Sequence, residues 1–491
     1  MSSKSSKTIQ LLKGFKDILP EHQKHWEFFM SQAKKILEQY GFQKIDVPIL
    51  EEANLYVKGT GKYTDIVAKE LYEFEDKNGE KIALRPEFTP GICRSYIEHG
   101  MLNRPQPLKF YTFGPVFRHD NPQAGRFRQF HQLDLEAIGS DSPVLDAQLI
   151  IIAYRLLESL GLSPIVHLNS IGCNDCRTEY VRAFKQYLMS AGRKKSLCDN
   201  CKVRYTKNPL RILDCKEDPC QPVLADAPQI IDSLCEDCKQ RFMAVLEQLD
   251  GMEISYILDV KLVRGLDYYT RTTFEIYLKD QHEDDNRSQS ALIGGGRYDG
   301  LIELLGGRPT PAVGFAVGVE RIISRMRDLN LTIPDIAAPD VFVAQLGMEA
   351  RKECFKLYEK LIAENINVAE SFSQDGLKKQ LERADSLQVK FTLILGQREL
   401  IDKTVILRDM NSGIQEIINY DNIIKEIKKR VDSSSTVVKS YILEQDGSSS
   451  KKDKDTVKEE GRAKESASAS QPRYKINHDD EEDNEKIINK L

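Results

Sequence analysis

The sequence predicts an α+β fold of several domains, and three observations carry that reading. Up to about residue 330, strand-like segments joined by polar turns are interspersed with amphipathic helices, which suits an antiparallel sheet rather than a doubly wound one. Eight of the ten cysteines crowd between residues 171 and 253, inside that region. After a linker near LTIPDIAAPD, strands alternate with helices to about residue 430, as in a compact α/β domain. At 491 residues, about two to four domains are expected from length alone.

Residues 21–40 read as an amphipathic helix, because Trp26, Phe29, Met30, Ala33, Leu37 and Tyr40 recur at helical spacing and Gly41 supplies a left-handed stop. FQKIDVPILE follows as a strand, with Pro48 near its end. LYEFED and KIALRPE form a hairpin around Asn78-Gly79. Thr89-Pro90 opens a helix that Gly100 stops. LKFYTFGPVFR and FHQLDLEAIG are strands on either side of a polar loop. Ser142-Pro143 then opens a second helix, with Leu145, Leu149, Ile152, Leu156 and Leu160 on one stripe and Gly161 after it. Strand-like text resumes at ISYILDV and continues through TRTTFEIYL, SALIGGGRYDGL and AVGFAVGVERIISRM. The stretch 171–253 is therefore expected to be an insertion within one domain whose two parts are 1–170 and 254–330. The α/β domain covers 338–430. The Ser-rich, charged stretch 431–491 has few apolar residues to offset chain entropy and is expected to be a disordered tail.

The net charge of −5 gives no global basic signature, so any RNA contact must come from local Lys and Arg clusters. The N-terminal MSSKSSKTIQLLKGFKDILP lacks an apolar core of signal-peptide length, and no run of about 18 apolar residues occurs. A membrane span is not expected. Ten cysteines without an export signal argue against a disulfide framework, so a cytoplasmic location is expected.

The chemistry concentrates in FGPVFRHDNPQAGRFRQFHQLDLEAIG. Strand alternation puts Gln132, Asp134 and Glu136 on one face, with Leu133, Leu135 and Ala137 on the other. Val116 and Arg118 share a face on the preceding strand, and the loop between carries Arg126 and Arg128. Arginine forks beside a carboxylate row suit a ligand bearing both phosphate and ammonium groups. The plainer alternative is a solvated hairpin face with incidental ion pairs.

This segment resembles motif 2 of class II aminoacyl-tRNA synthetases, in the form found in histidyl-tRNA synthetases. IDVPIL resembles motif 1, whose proline, here Pro48, lies at the family's dimer interface, so a homodimer is implied. AVGFAVGVERII resembles motif 3, with Gly314 and Gly318 ahead of Glu320 and Arg321. LVRGLDYYTRTTFE and GGGRYDGL resemble the two signatures of the histidine enzymes. The likeness spans about residues 8–430. Motifs 1 and 3 are generic alone; five in the expected order are specific. The fold implied is a class II antiparallel-sheet catalytic domain with a cysteine-rich insertion and a C-terminal anticodon-binding domain.

The same resemblance implies roles for individual residues. Glu87 and Thr89, with Phe88 between them, match positions that hold the substrate's α-amino group and neighbouring backbone. Phe88 and Pro90 stand where Gly and a small residue are common in bacterial members, which leaves the shape of this wall open. A plain helix N-cap is the alternative for Thr89. Arg118 and Arg321 match the two arginines that clamp ATP, and Arg264 matches one that bridges the substrate carboxylate and the α-phosphate. With Mg²⁺, these three would be the catalytic groups, since carboxylate attack on phosphorus needs positioning and charge neutralisation rather than a protein nucleophile. Gln132, Glu136, Tyr268 and Tyr269 match positions around the histidine substrate. Because strand neighbours point to opposite faces, one of the two tyrosines is expected to line the pocket. Gln123 and Arg126, in the motif 2 loop, are the candidates for contact with the acceptor end of tRNA(His). GGGRYDGL offers bare backbone against which a ligand could pack.

The cysteine pairs are Cys173/Cys176, Cys198/Cys201, Cys215/Cys220 and Cys235/Cys238. Three have the C-x-x-C spacing that matches one edge of a tetrahedral thiolate zinc site, so one or two Cys₄ sites are possible and the pairing stays open. In the resembled family this insertion touches the tRNA acceptor arm and many members lack the cysteines. Zinc here would be structural, and metal-free thiols are the alternative. Two further readings compete: a non-catalytic paralogue similar to the regulatory subunit of the first enzyme of histidine biosynthesis, and a zinc-dependent RNA-binding module. The whole RGLDYY segment and the anticodon-domain likeness of 338–430 oppose the first, and the ATP arginines oppose the second.

Overall fold

The computed structural model describes residues 8–121, 126–279, 291–334, 338–373 and 376–431. The chain forms two compact units that divide after Ile333. None of the described helices is long and apolar enough to cross a membrane.

In the first unit, α1 (Pro20–Gln39) begins on a proline that needs no hydrogen-bond partner for its nitrogen, and buries Trp26, Phe29, Ala33, Ile36 and Leu37. Gly41 ends it at φ 73°. The single strand expected over 42–51 is instead broken in two. β1 (Gln43–Lys44) pairs parallel with an edge of the main sheet, and β2 (Leu50–Glu52) leaves for a small one. Pro48 has no N–H for a ladder, and the Val47 carbonyl is taken by the Arg85 guanidinium at 2.6 Å. β3 (Glu73–Glu75) and β4 (Lys81–Leu84) form the expected hairpin, completing a β2-β4-β3 sheet. Its turn is organised by Asp76, whose Oδ1 accepts the N–H groups of Asn78 and Glu80 at 2.7 and 2.9 Å, with Gly79 at φ 82°.

α2 (Thr89–Glu98) ends where Gly100 turns left-handed. β5 (Leu108–Phe117) and β6 (Gln129–Ile138) are the long antiparallel pair expected, and α3 (Pro143–Ser159) follows. The apolar stripe read for α3 understates its burial, since Ile150, Ala153 and Leu157 are as buried as Leu149. The cause is that it lies between the sheet and a second helix layer. β7 (Pro164–Ser170) leads into the cysteine-rich stretch, whose main helices are α4 (Asn174–Met189), α5 (Asp199–Lys207) and α6 (Glu236–Gly251). α6 packs on α3, with Phe242, Val245, Leu246 and Leu249 inside the main core. By packing, the C-terminal part of the expected insertion belongs to the sheet domain.

β8 (Tyr256–Leu258), β9 (Thr270–Leu278), β10 (Ile293–Arg297) and β11 (Ala312–Gly318) complete an eight-stranded sheet of order β1-β5-β6-β11-β10-β9-β7-β8, and α7 (Val319–Asp328) follows. All its pairings are antiparallel except the two at its edges, β1 with β5 and β7 with β8. One face of the sheet carries the core against α1, α3, α6 and α7. The other face is open to a cavity.

The second unit starts at Pro334. β12 (Val341–Gln345), α8 (Met348–Ala363), β13 (Val368–Glu370), α9 (Leu377–Ser386), β14 (Phe391–Leu395), β15 (Thr404–Asp409) and β16 (Gln415–Asn419) give a five-stranded sheet, β13-β12-β14-β15-β16. The first three strands are parallel and the last two antiparallel, so the sheet is mixed. Strands β13 and β16 are absent from the sequence reading: one is three residues long, and the other is an exposed edge without clean alternation. Buried Gln380 spans β12, donating to the Gln345 carbonyl at 2.8 Å and accepting its N–H at 3.0 Å. The expected tail beyond Val431 lies outside the described residues.

Candidate active site

On β6, Leu133, Leu135 and Ala137 are fully buried in the core, and Gln132, Asp134 and Glu136 project to the opposite side. There they line a cavity of about 970 Å³, joined by Glu87 and Thr89 from the start of α2, Arg118 from beyond β5 and Arg321 from α7. Arg264, Tyr268 and Tyr269 enter from the segment before β9.

Two buried carboxylates are held by hydroxyl donors. Glu87 accepts from Thr60 Oγ1 at 2.5 Å and from the Tyr268 hydroxyl at 2.7 Å. Glu136 accepts from Thr89 Oγ1 at 2.6 Å and from the Tyr298 hydroxyl. Burial lifts Glu87 above the ordinary carboxylate range, against the opposing effect of its two hydrogen bonds. Burial likewise pushes Glu136 up to about 8. Asp134 stands well above its ordinary value, first through burial and then through the charges of Glu136 and Glu87. Asp134 Oδ1 and Gln132 Oε1 are buried without a hydrogen-bond partner among the described residues. Buried acceptors left in this state cost free energy until a donor arrives, and three carboxyl groups side by side favour a cationic one.

Three guanidinium groups share the same cavity. Arg118 Nε donates to the Pro86 carbonyl at 3.0 Å, and its fork lies 5.3 Å from the Phe130 ring centre. Arg321 Nη1 donates to the Ala291 carbonyl at 2.8 Å. Burial, then the positive charges of Arg126 and Arg118, hold Arg321 below its usual range, so an anion there would relieve mutual repulsion. Arg264 pairs with Glu275 and lies 5.6 Å from the Tyr269 ring centre.

Glycines on β10 and β11 make room for these side chains rather than for a ligand. A Cβ on Gly294 would fall 2.3 Å from the Arg264 guanidinium, and one on Gly314 would fall 1.7 Å from Glu136 Oε2. Gly296, at φ 156°, sits where the β9–β10 register breaks.

A family model described as "Histidyl-tRNA synthetase" matches residues 14–174 and 218–322, and one described as "Anticodon binding domain" matches 340–430. A histidine–tRNA ligase of Dehalococcoides mccartyi is 44% identical over 420 residues, covering 85% of this chain and 99% of that protein. One from Caldicellulosiruptor saccharolyticus is 43% identical over 424 residues, covering 86% and 100%. The chain belongs to the histidyl-tRNA synthetase family. A crystal structure of the apo histidyl-tRNA synthetase of S. aureus superposes with a TM-score of 0.72 at 33% identity, covering 86% of this chain and all of that one.

Of the residues singled out from the histidyl-tRNA synthetase motifs, Glu87, Thr89, Arg118, Arg126, Gln132, Glu136, Arg264, Tyr268, Tyr269 and Arg321 all line this one cavity. Phe88 does not. Its ring is 1% exposed, packed in a separate apolar cluster with the Arg85 guanidinium 4.4 Å away, because it points away from its neighbours Glu87 and Thr89. Thr89 makes no side-chain cap to α2; its hydroxyl goes to Glu136 instead. The expectation that only one of Tyr268 and Tyr269 lines the pocket is corrected: both do. They precede β9 in a turn, where strand alternation does not operate, and their ring centres are 4.7 Å apart. Arg126 is ion-paired with Asp120 at 2.9 Å. Gln123 lies outside the described residues. Sequence reasoning missed Thr60, Glu275 and Tyr298. Tyr298 was within reach, since it follows the glycine run of a histidine signature. Thr60, between Gly59 and Gly61, carries no comparable signal.

Proposed function

We propose that this chain is a histidine–tRNA ligase of two-step mechanism. The histidine carboxylate attacks the α-phosphorus of ATP, forming histidyl-adenylate and releasing pyrophosphate; the histidyl group then passes to tRNA(His) and AMP leaves. The observation that carries the reading is that Arg118, Arg264 and Arg321 line the same cavity as the buried carboxyl groups of Glu87, Asp134 and Glu136. The guanidinium forks hold two anions against each other and neutralise charge that develops at phosphorus. ATP enters as its Mg²⁺ complex, which supplies further charge neutralisation. Glu87 receives the α-ammonium group, with Thr60 and Tyr268 fixing its orientation. Glu136, Gln132 and Tyr269 read the imidazole, and a pocket that hydrogen-bonds a substrate ring rejects analogues lacking it by about 10⁴–10⁵, so no editing step is required.

The active form is a homodimer built around the Pro48 region, a reading supported by the exposed apolar side chains of Ile49, Leu50 and Phe74 on and beside the small sheet. Arg126 and the loop bearing Gln123 meet the acceptor end of tRNA. The enzyme works in the cytoplasm, and any zinc held by its cysteines is structural.

Histidine-dependent exchange of labelled pyrophosphate into ATP is the direct test. The ligase catalyses it, and no exchange with any amino acid would leave the regulatory-paralogue reading in its place. The buried carboxyl groups add a pH signature. With Glu136 pushed up to about 8, its carboxyl carries a proton at pH 7 in the empty site and gives it up when the α-ammonium group of histidine enters the carboxyl cluster and the imidazole N–H turns to Glu136. Histidine binding at pH 7 is therefore expected to release close to one proton, fading as pH rises past about 8. Calorimetry in buffers of differing ionisation enthalpy measures this directly, and Glu136→Gln should abolish it. Binding without proton release in the native protein would refute the assignment.

A further inference from the structure

The eight insertion cysteines fall into two groups, Cys173/Cys176/Cys235/Cys238 and Cys198/Cys201/Cys215/Cys220, and within each the four sulfurs lie within 4.8 Å of one another. All eight are free thiols. Tetrahedral zinc with Zn–S of about 2.3 Å sets its ligand sulfurs about 3.8 Å apart. Cys173 and Cys176 sulfurs are 3.5 Å apart, and those of Cys198 and Cys215 are 3.8 Å apart. Both are far beyond a disulfide bond of about 2.05 Å. A second observation points the same way, because backbone N–H groups aim at the sulfurs and so favour thiolates. Cys235 N–H donates to Cys176 Sγ at 3.1 Å, Cys198 N–H to Cys220 Sγ at 3.3 Å, and Cys201 N–H to Cys198 Sγ at 3.4 Å.

The two groups hold different parts of the molecule. Cys173 and Cys235 are the N-cap residues of α4 and α6, so the first group joins the entry of the helical stretch to the helix that packs on the core. The second lies inside that stretch, and its Cys198 and Cys215 line the cavity. Between these cysteines, Asn208 donates to Asp267 and Arg204 pairs with Asp65 at 3.2 Å. Asp267 precedes Tyr268, and its N–H donates to the Thr60 carbonyl at 3.1 Å. Tyr268 and Thr60 are the two donors to Glu87.

We propose that the chain binds two zinc ions, one in each Cys₄ group, and that the two act differently: the first clasps the helical stretch to the core, and the second positions the amino-acid pocket through Asn208, Asp267 and Thr60. The metal assignment stands alone; the positioning role rests on the ligase reading. Both outcomes are separable in one experiment on the full chain. Elemental analysis of protein purified without chelator should give about two zinc ions per chain, with Cys201→Ser and Cys238→Ser each losing one. A native protein with no zinc, or a single ion lost by both variants, overturns the two-site assignment. Asn208→Ala keeps all eight thiols and guards against a misfolded cysteine variant. It should retain both ions while histidine kcat/KM in pyrophosphate exchange falls about ten- to a hundredfold through KM for histidine, with KM for ATP unchanged. Retained zinc with unchanged histidine KM overturns the positioning role. If the native chain catalyses no exchange at all, the ligase reading and with it the positioning role fall, and the zinc count still decides the metal sites.

Discussion

Arg264→Ala is expected to lower histidine-dependent pyrophosphate exchange by about 10²–10³-fold, the loss typical when one preorganised group that meets developing charge is removed. The effect should appear mainly in kcat, because a group that holds the attacking carboxylate against phosphorus acts more strongly in the transition state than in the ground state. The geometry shows why this arginine is fixed in place. Its guanidinium pairs with Glu275, stacks near Tyr269 and lies over the bare backbone of Gly294. Arg264→Lys should recover little, since an ammonium has no planar fork to engage Glu275 and two anions together. The measurement is steady-state exchange with both substrates varied. A fall confined to KM for ATP, or none, would show that Arg264 serves binding or structure and not the transfer.

Asp146→Ala is expected to destabilise the first unit by about 3 kcal/mol, the low end of the cost of removing one partner from a buried ion pair, because Asp299 still faces the guanidinium. Arg297 and Asp146 are 1% and 2% exposed, and the guanidinium is otherwise satisfied by the Ser140 carbonyl at 3.0 Å and Asp299 at 3.0 Å. Truncating Asp146 removes the bidentate acceptor and leaves the guanidinium of Arg297 with the Asp299 carboxylate and backbone carbonyls alone. Replacing both by apolar residues of similar size should restore much of the loss, because the pair's desolvation cost vanishes with it. Thermal unfolding of the single and double variants measures this. A single variant as stable as the native protein would show that water reaches the site. The pair also bears on catalysis. Arg297 is the neighbour of Tyr298, whose hydroxyl donates to Glu136, so loosening β10 should disturb the carboxyl that reads the substrate.

The parts of the site that were legible in the sequence are those set by local period. Gln132, Asp134 and Glu136 share a face because a strand alternates, and α2 begins at Thr89-Pro90 because proline suits a first helical turn. The illegible parts depend on strand order. Sheet order runs β6-β11-β10-β9, so Glu136 on β6 and Tyr298, just past β10, meet across the intervening β11 although 162 positions separate them. Nothing local in the sequence announces such a meeting. Thr60 reaches Glu87 from a single π-helical turn, Val57–Gly61, too short to leave a periodic pattern, and Phe88 turns into an apolar cluster while Glu87 and Thr89 on either side face the cavity. Cysteine spacing identified the pairs, but only the meeting of the first turns of α4 and α6 decided which pairs converge. Likewise the stretch around Pro48 reads as one strand, and nothing local shows that the chain changes sheets there.

The glycines at 294 and 314 leave a hollow in the sheet floor, and the side chains of Arg264 and Glu136 lie in it. Tolerance to replacement around this cavity therefore does not follow the chemistry that a side chain carries. A single methyl group added beneath either side chain would tilt Arg264 or Glu136 out of line, so that residues with no functional group of their own are bound by the same constraint as the residues that do the chemistry.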